Sequence, residues 1–177
     1  GEESSGGRVV ATPDIEFSRL TDLIGHKESP AISPDGKMVA FVGMVNGRRQ
    51  IWVRMLSGGA ALQITHDAVD HEQPRWAPDS SALIYFTRPA SGAVEGSIWQ
   101  ISALGGPARR VSSALTGGDI SRDGRRVALF QDGAESIDLV IVSRSGGERA
   151  VVAALPPEHY YRTPRWSPHD RSIAYQV

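Results

Sequence analysis

Two short runs gather the side chains that do chemistry. His66-Asp67 followed by Asp70-His71-Glu72 places two imidazoles and three carboxylates within seven residues. His159-Tyr160-Tyr161-Arg162 sets an imidazole, two phenols and a guanidinium side by side. His66, Asp70, His71 and Glu72 are the types that bind zinc or calcium, but their spacing matches no ligand pattern such as His-Glu-x-x-His. On loops such groups more often form turns and hold water, so neither a structural metal nor a cofactor is expected. Tyr160 and Tyr161 beside His159 fit a protein-binding anchor, because aromatic side chains dominate interface hot spots. Packing over a sheet edge is the equal alternative. Serine, histidine and aspartate are all present, yet no Gly-x-Ser-x-Gly elbow occurs. No glycine-rich phosphate loop follows a strand and opens a helix. The chain is therefore expected not to be an enzyme.

The elements that position these residues repeat. Gln73-Pro74-Arg75-Trp76-Ala77-Pro78-Asp79-Ser80 has counterparts at Pro30-Ala31-Ile32-Ser33-Pro34-Asp35-Gly36, Gly118-Asp119-Ile120-Ser121-Arg122-Asp123-Gly124 and Pro164-Arg165-Trp166-Ser167-Pro168-His169-Asp170. Anchored on Pro34, Pro78, Arg122 and Pro168, the spacings are 44, 44 and 46. A period of that size marks a repeat architecture. The agreement runs on into apolar strands, with Val39, Leu83, Val127 and Ile173 five residues past each anchor. All four tryptophans fall on two repeat positions, Trp76 with Trp166 and Trp52 with Trp99. Ser-Pro-Asp-Gly is turn chemistry: proline fixes φ, aspartate bonds its own backbone, and glycine takes a left-handed φ. Asn46-Gly47 and Gly58-Gly59 are hairpin signals between β-rich runs.

Each repeat thus reads as four short strands joined by turns. The first has strands near 31–33, 38–44, 50–56 and 61–65. Blade repeats fall at about 26–65, 71–112 and 117–153, and the third lacks both prolines and both tryptophans, leaving its turn open to question. Strands apolar on both faces, such as Met38 to Val42, need a neighbour on each side. Four-stranded sheets stacked face to face around an axis supply it, so the fold expected is an all-β β-propeller with about four blades' worth of strands. In such a fold the loops carrying His66, Asp67, Asp70, His71, Glu72, His159, Tyr160, Tyr161 and Arg162 share one face, which makes them a candidate interaction face. Arg75, Asp119 and Arg165 hold one repeat position on first strands, which line the channel, and are candidate channel charges. The alternative is that the two arginines cap neighbouring blades through stacking and salt bridges.

Bulk properties agree with this reading. The chain has 177 residues, a net charge of −1 from 19 basic and 20 acidic side chains, and no cysteine. Near-neutral charge speaks against nucleic acid, and the longest apolar run, Ala150 to Leu155, is far too short to insert in a membrane. Without cysteine there is no disulfide and no thiol chemistry.

The phrase Pro-x-Trp-Ser-Pro-Asp-Gly, followed by an apolar strand and an Ile-Trp strand, resembles the repeats of TolB-like propellers. It is also related to the propellers of prolyl-oligopeptidase-type enzymes. The resemblance covers residues 8–177 and departs in repeat three, at Ile120 and Arg122. It implies a non-enzymatic recognition scaffold in the periplasm or elsewhere outside the cytoplasm, with a cytoplasmic location as the alternative. The protein partner is of unknown identity, a Pal-type lipoprotein being one possibility. The second reading is an accessory or sensor propeller of a larger peptidase, kinase or transcriptional regulator. Residues 1–7 have linker composition. Residues 8–21 and 163–177 add up to one split blade, which fits a four-blade ring, half of an eight-blade homodimer, or part of a larger ring.

Overall fold

A computed structural model describes residues 27–177, and among them there is no helix. Three complete four-stranded antiparallel meanders follow one another. The first blade is β1 (Lys27–Ile32), β2 (Met38–Val45), β3 (Arg48–Met55) and β4 (Leu62–Gln63). The second is β5 (His71–Trp76), β6 (Ala82–Thr87), β7 (Gly96–Ser102) and β8 (Arg109–Ala114). The third is β9 (Asp119–Ile120), β10 (Arg126–Asp132), β11 (Ile137–Ser143) and β12 (Arg149–Leu155). A fourth begins as the hairpin β13 (Arg165–Trp166) and β14 (Ile173–Ala174). The described sheets form an arc that does not close into a ring. The further strands expected at 8–12 and 16–21 lie outside the described residues.

The turns form for the reasons the residues supply. Asp35, Asp79 and Asp123 each accept, on Oδ1, the amide two residues ahead, at 3.1, 3.1 and 3.0 Å. Repeat three keeps this turn without its proline: the Gly124 amide donates to the Ser121 carbonyl at 2.8 Å, with Gly124 at φ 73°. Ser-x-Asp-Gly chemistry suffices there. The fourth strand of the first blade is shorter than expected. The Thr65 hydroxyl takes the Ile51 amide at 2.9 Å, so a side chain replaces a backbone carbonyl and ends the ladder.

Packing follows from the alternation of side chains along each second strand. On β6 every residue is buried. Leu83 and Tyr85 point to the first blade and join Ala40, Val42, Ile51, Val53 and Trp76. Ala82, Ile84 and Phe86 point to the third and join Ile120, Val127, Leu129, Val140 and Val142. A third cluster, Phe130, Leu139 and Tyr161, begins the interface with the fourth blade.

The tryptophans lock this stack. The Trp76 indole N–H donates to the Ala31 carbonyl at 2.8 Å, and that of Trp166 to the Asp119 carbonyl at 3.2 Å. In both cases the acceptor lies in the preceding blade, one residue before the tryptophan position. At the joint between the second and third blades Ile120 stands in the tryptophan position and contributes apolar packing alone.

A second set of bonds lies in the turns. Ser80 and Asp170 share one repeat position and both hold left-handed backbones, φ 60° and 54°, where the other two repeats have Gly36 and Gly124. The Ser80 hydroxyl accepts the Asp35 amide at 3.2 Å. The Asp170 carboxylate accepts the Arg122 and Asp123 amides at 2.8 and 3.4 Å. Non-glycine residues thus sit at strained positions where their side chains reach the preceding blade.

Candidate functional site

Strand order fixes which loops share an end. In each meander the first strand leaves the loop end and finishes at its Asp turn, so the segments 66–70, 88–95, 115–118, 133–136 and 156–164 lie together. The Asp turns and Gly-Gly hairpins lie at the opposite end.

The first polar loop is largely tied into the scaffold. His71 is 1% exposed; its Nε2 lies 2.7 Å from Asp67, its ring meets Tyr85 edge-on at 4.8 Å, and its Nδ1 has no hydrogen-bond partner. Burial lowers its pKa, opposed by Asp67 and Asp70. A buried ring cannot belong to an exposed interaction face, so His71 leaves that set. Asp70 accepts the Arg49 amide at 2.9 Å, and Glu72 accepts from Arg88 Nε at 2.7 Å. Glu72 also lies 3.8 Å from Arg49. His66 and Asp67 are exposed. These groups are spread between two blades, and among the described residues no three His, Asp or Glu side chains converge as a metal site.

The second loop divides between packing and exposure. Tyr161 is buried, stacks on Phe130 at 5.4 Å and donates its hydroxyl to the Pro156 carbonyl at 3.0 Å. Its neighbour Tyr160 is 76% exposed, and His159 and Arg162 are exposed as well. The two tyrosines therefore split the alternatives between them, one packing and the other presented.

Between these loops the first strands converge on the axis. Gln73 has φ 53° at a bulge in β5, which turns its amide inward. Gln73 Oε1 accepts the Gly117 amide at 3.0 Å and the Thr163 hydroxyl at 2.6 Å. Gln73, Gly117 and Thr163 hold one repeat position in three successive blades, so this node ties their inner edges together. A Cβ at 117 would lie 2.1 Å from Gln73 Oε1, so any larger residue there would displace the glutamine amide from the node. Repeat alignment carries this signal, once residues at one position are read as neighbours around an axis.

Beside the node a cavity of about 560 Å³ is lined by Arg75, Arg162, Arg165, Tyr160, Thr163 and Gln176, among others. Arg75 Nη1 donates to the Pro74 carbonyl at 3.0 Å and Arg165 Nη1 to the Pro164 carbonyl at 3.2 Å. Asp119 accepts the Trp166 amide at 2.8 Å. Burial and the like charge of Arg165 lower the Arg75 pKa, partly offset by Asp119. Burial raises the Asp119 pKa against the Trp166 amide and both arginines. These three charges share an environment without forming a salt bridge within 4 Å among the described residues.

A second open surface lies on the far flank. A groove of about 1020 Å³ runs beside β10, β11 and β12, lined by Arg126, Val142, Arg144, Arg149 and Ala150. Val151 and Val152 are 48% and 52% exposed. The short hairpin of β13 and β14 covers only the inner part of this blade.

Comparison with known proteins decides the family. The model of the TolB beta propeller domain matches residues 9–177. The chain belongs to the TolB-like β-propellers. TolB from Acinetobacter baumannii is 24% identical, with a TM-score of 0.64 over 82% of this chain and 36% of that one. An oligogalacturonate lyase from Vibrio parahaemolyticus is 16% identical, with a TM-score of 0.61 over 81% of this chain and 43% of that one. The propeller domain of the Trilobed protease from Pyrococcus furiosus is 16% identical, with a TM-score of 0.59 over 86% and 48%. These likenesses share the fold of TolB-like repeats with this chain, which spans about a third to a half of each relative's length.

Proposed function

We propose that this chain is a non-enzymatic protein-recognition scaffold of the TolB-like type, working in the periplasm or elsewhere outside the cytoplasm, with its loop end as the contact surface. The observation that carries the reading is the pairing of Tyr161 with Tyr160. Tyr161, held by Phe130 and the Pro156 carbonyl, fixes the loop. Tyr160 stands beside it 76% exposed. An aromatic anchor held ready before binding loses little entropy when a partner arrives. The polar groups are arranged for scaffold work: His71 faces Asp67 and Tyr85, and burial pushes the Tyr85 phenol well above its ordinary range, so the trio contains no activated nucleophile.

Site-specific photocross-linking tests this reading. Benzoylphenylalanine at Tyr160 is expected to capture a discrete partner in envelope extracts, while the same group at Leu104, 82% exposed at the opposite end, captures none. Capture from Leu104 and none from Tyr160 would overturn the choice of face.

A second reading, the accessory propeller of a larger enzyme or sensor, is favoured by one observation. Solved structures similar to this chain include a prolyl endopeptidase, of which it covers 24%, at 17% identity. In that case the loop end would face the attached domain.

A further inference from the structure

We propose that the cavity at the loop end of the axis is a carboxylate-binding site that takes the acidic side chains of a peptide segment. The inference rests on the protein-recognition reading and names the chemistry of the partner. Three guanidinium groups, Arg75, Arg162 and Arg165, line one cavity of about 560 Å³. The carboxylate nearest to them in kind, Asp119, is engaged by the Trp166 amide and lies within salt-bridge distance of none of them. Arg75 and Arg165 each spend one N–H on the carbonyl of the preceding proline, which fixes the fork and leaves its other donors to the cavity. The Arg162 side chain makes no hydrogen bond or ion pair among the described residues.

Two partly buried cations without a paired anion are costly, and an incoming anion relieves the cost. A planar guanidinium fork matches a carboxylate with two parallel hydrogen bonds. Asp119 sits at the same repeat position in the blade between Arg75 and Arg165, so it lowers the net positive charge and disfavours a phosphate dianion relative to a single carboxylate. The rim favours a peptide: exposed Tyr160 lines the same cavity, and arginine with tyrosine is the composition of protein hot spots. The Gln73 node with Gly117 and Thr163 holds the three blades in register, so the guanidinium groups are preorganised.

The test uses the whole chain with a hexaglutamate peptide, measured by isothermal titration at low and at physiological salt. Binding is expected, weakening with salt, and a hexaglutamine peptide is expected not to bind. Arg75→Gln and Arg165→Gln should each weaken binding at least about tenfold, as expected when a charged hydrogen-bond partner is lost. Arg125→Gln, at the opposite end, should leave it unchanged. In the unaltered protein the Trp166 backbone amide resonance should move during the titration and the Trp52 indole should not, a readout that survives if a variant fails to fold. Equal affinity for the two peptides, or a still Trp166 amide, overturns the proposal. Tighter binding of inorganic phosphate than of the peptide would also overturn it, making the site one for phosphate. Capture through Tyr160 together with no hexaglutamate binding would sink the carboxylate site and leave the recognition scaffold standing.

Discussion

Truncating Trp76 should cost far more than truncating Trp166, although the two occupy the same repeat position. Trp76 is 8% exposed and packs among Ala40, Ile51, Leu83 and Ile101 between complete blades. Burying an aromatic of that size removes ~200 Å² from water, worth ~5 kcal/mol as an upper figure. Measured large-to-small changes of this kind cost about 3–5 kcal/mol, and Trp76→Ala is expected in that range. Trp76→Phe keeps most of the area but forfeits the 2.8 Å bond to the Ala31 carbonyl, for roughly 1–2 kcal/mol. Trp166 makes a longer bond, 3.2 Å, and is only partly covered, with the Arg126 guanidinium 5.0 Å above its ring. Its replacement by alanine should cost roughly half as much, ~2 kcal/mol. Urea titrations followed by far-ultraviolet circular dichroism give the comparison without relying on the deleted fluorophore. Blades couple mainly to their neighbours, so the slope of each transition must be compared along with its midpoint. Equal costs at the two positions would refute the reasoning, because they require the fourth blade to cover its neighbour as fully as the second covers the first.

Gly96→Ala should destabilise by ~3 kcal/mol, since its Cβ would lie 2.0 Å from the Thr87 carbonyl, whereas Gly92→Ala, in open space at φ 83°, should cost ~1 kcal/mol; thermal melts of the pair decide this. Asp170→Gly relieves a left-handed backbone yet loses two amide bonds to the preceding blade, so a net loss of ~1–2 kcal/mol is expected, while Ser80→Gly should be near neutral in the same urea assay. The lowered His71 pKa means the unfolded chain binds its proton more readily, so stability should fall as pH drops below about 6.5, and His71→Phe should flatten that slope in pH-dependent melts. Adding a chelator should leave the melting temperature unchanged; a drop restored by zinc or calcium would revive a metal site at His66, Asp70, His71 and Glu72. Deleting residues 1–15 should lower stability strongly if 8–21 cover the open flank, and light scattering then separates an intrachain ring from a two-fold dimer.

The repeat made the sheets legible, because each Asp turn depends only on residues within its own phrase. Asp35, Asp79 and Asp123 bond to amides two residues away, and no distant contact is needed to foresee that. What escaped the sequence depends on contacts between phrases. Ser80 and Asp170 look like missing glycines until the preceding blade is placed beside them. Tyr160 and Tyr161 are identical in type, and contacts with Phe130 and the Pro156 carbonyl decide which one is buried. His71 reads as a loop histidine, but β5 begins with it, and pairing with Thr87 carries it beneath the loop. The Arg75, Asp119 and Arg165 set was visible as a repeat position. That Asp119 accepts the Trp166 amide and forms no salt bridge with either arginine shows only once the blades are placed side by side.

The two ends of the blades are stabilised by different means, and that difference bears on function. At the Asp turns, backbone amides of one blade are met by side chains of the next, through Ser80 and Asp170. Those two side chains are spent on backbone groups of the neighbouring blade. At the inner strands of the loop end, neutral groups fasten the second, third and fourth blades: Gln73 meets the Gly117 amide and the Thr163 hydroxyl. Amide and hydroxyl groups hold the inner strands without spending the guanidinium forks beside them. Replacing Gln73 with glutamate would put a carboxylate into the cavity that Arg75 and Arg165 line, and so supply from inside the charge assigned to an incoming acidic peptide. Q73E is therefore expected to raise the melting temperature and abolish hexaglutamate binding at once. A variant that gained stability yet still bound the peptide would show that the arginines at the axis are not the receptor.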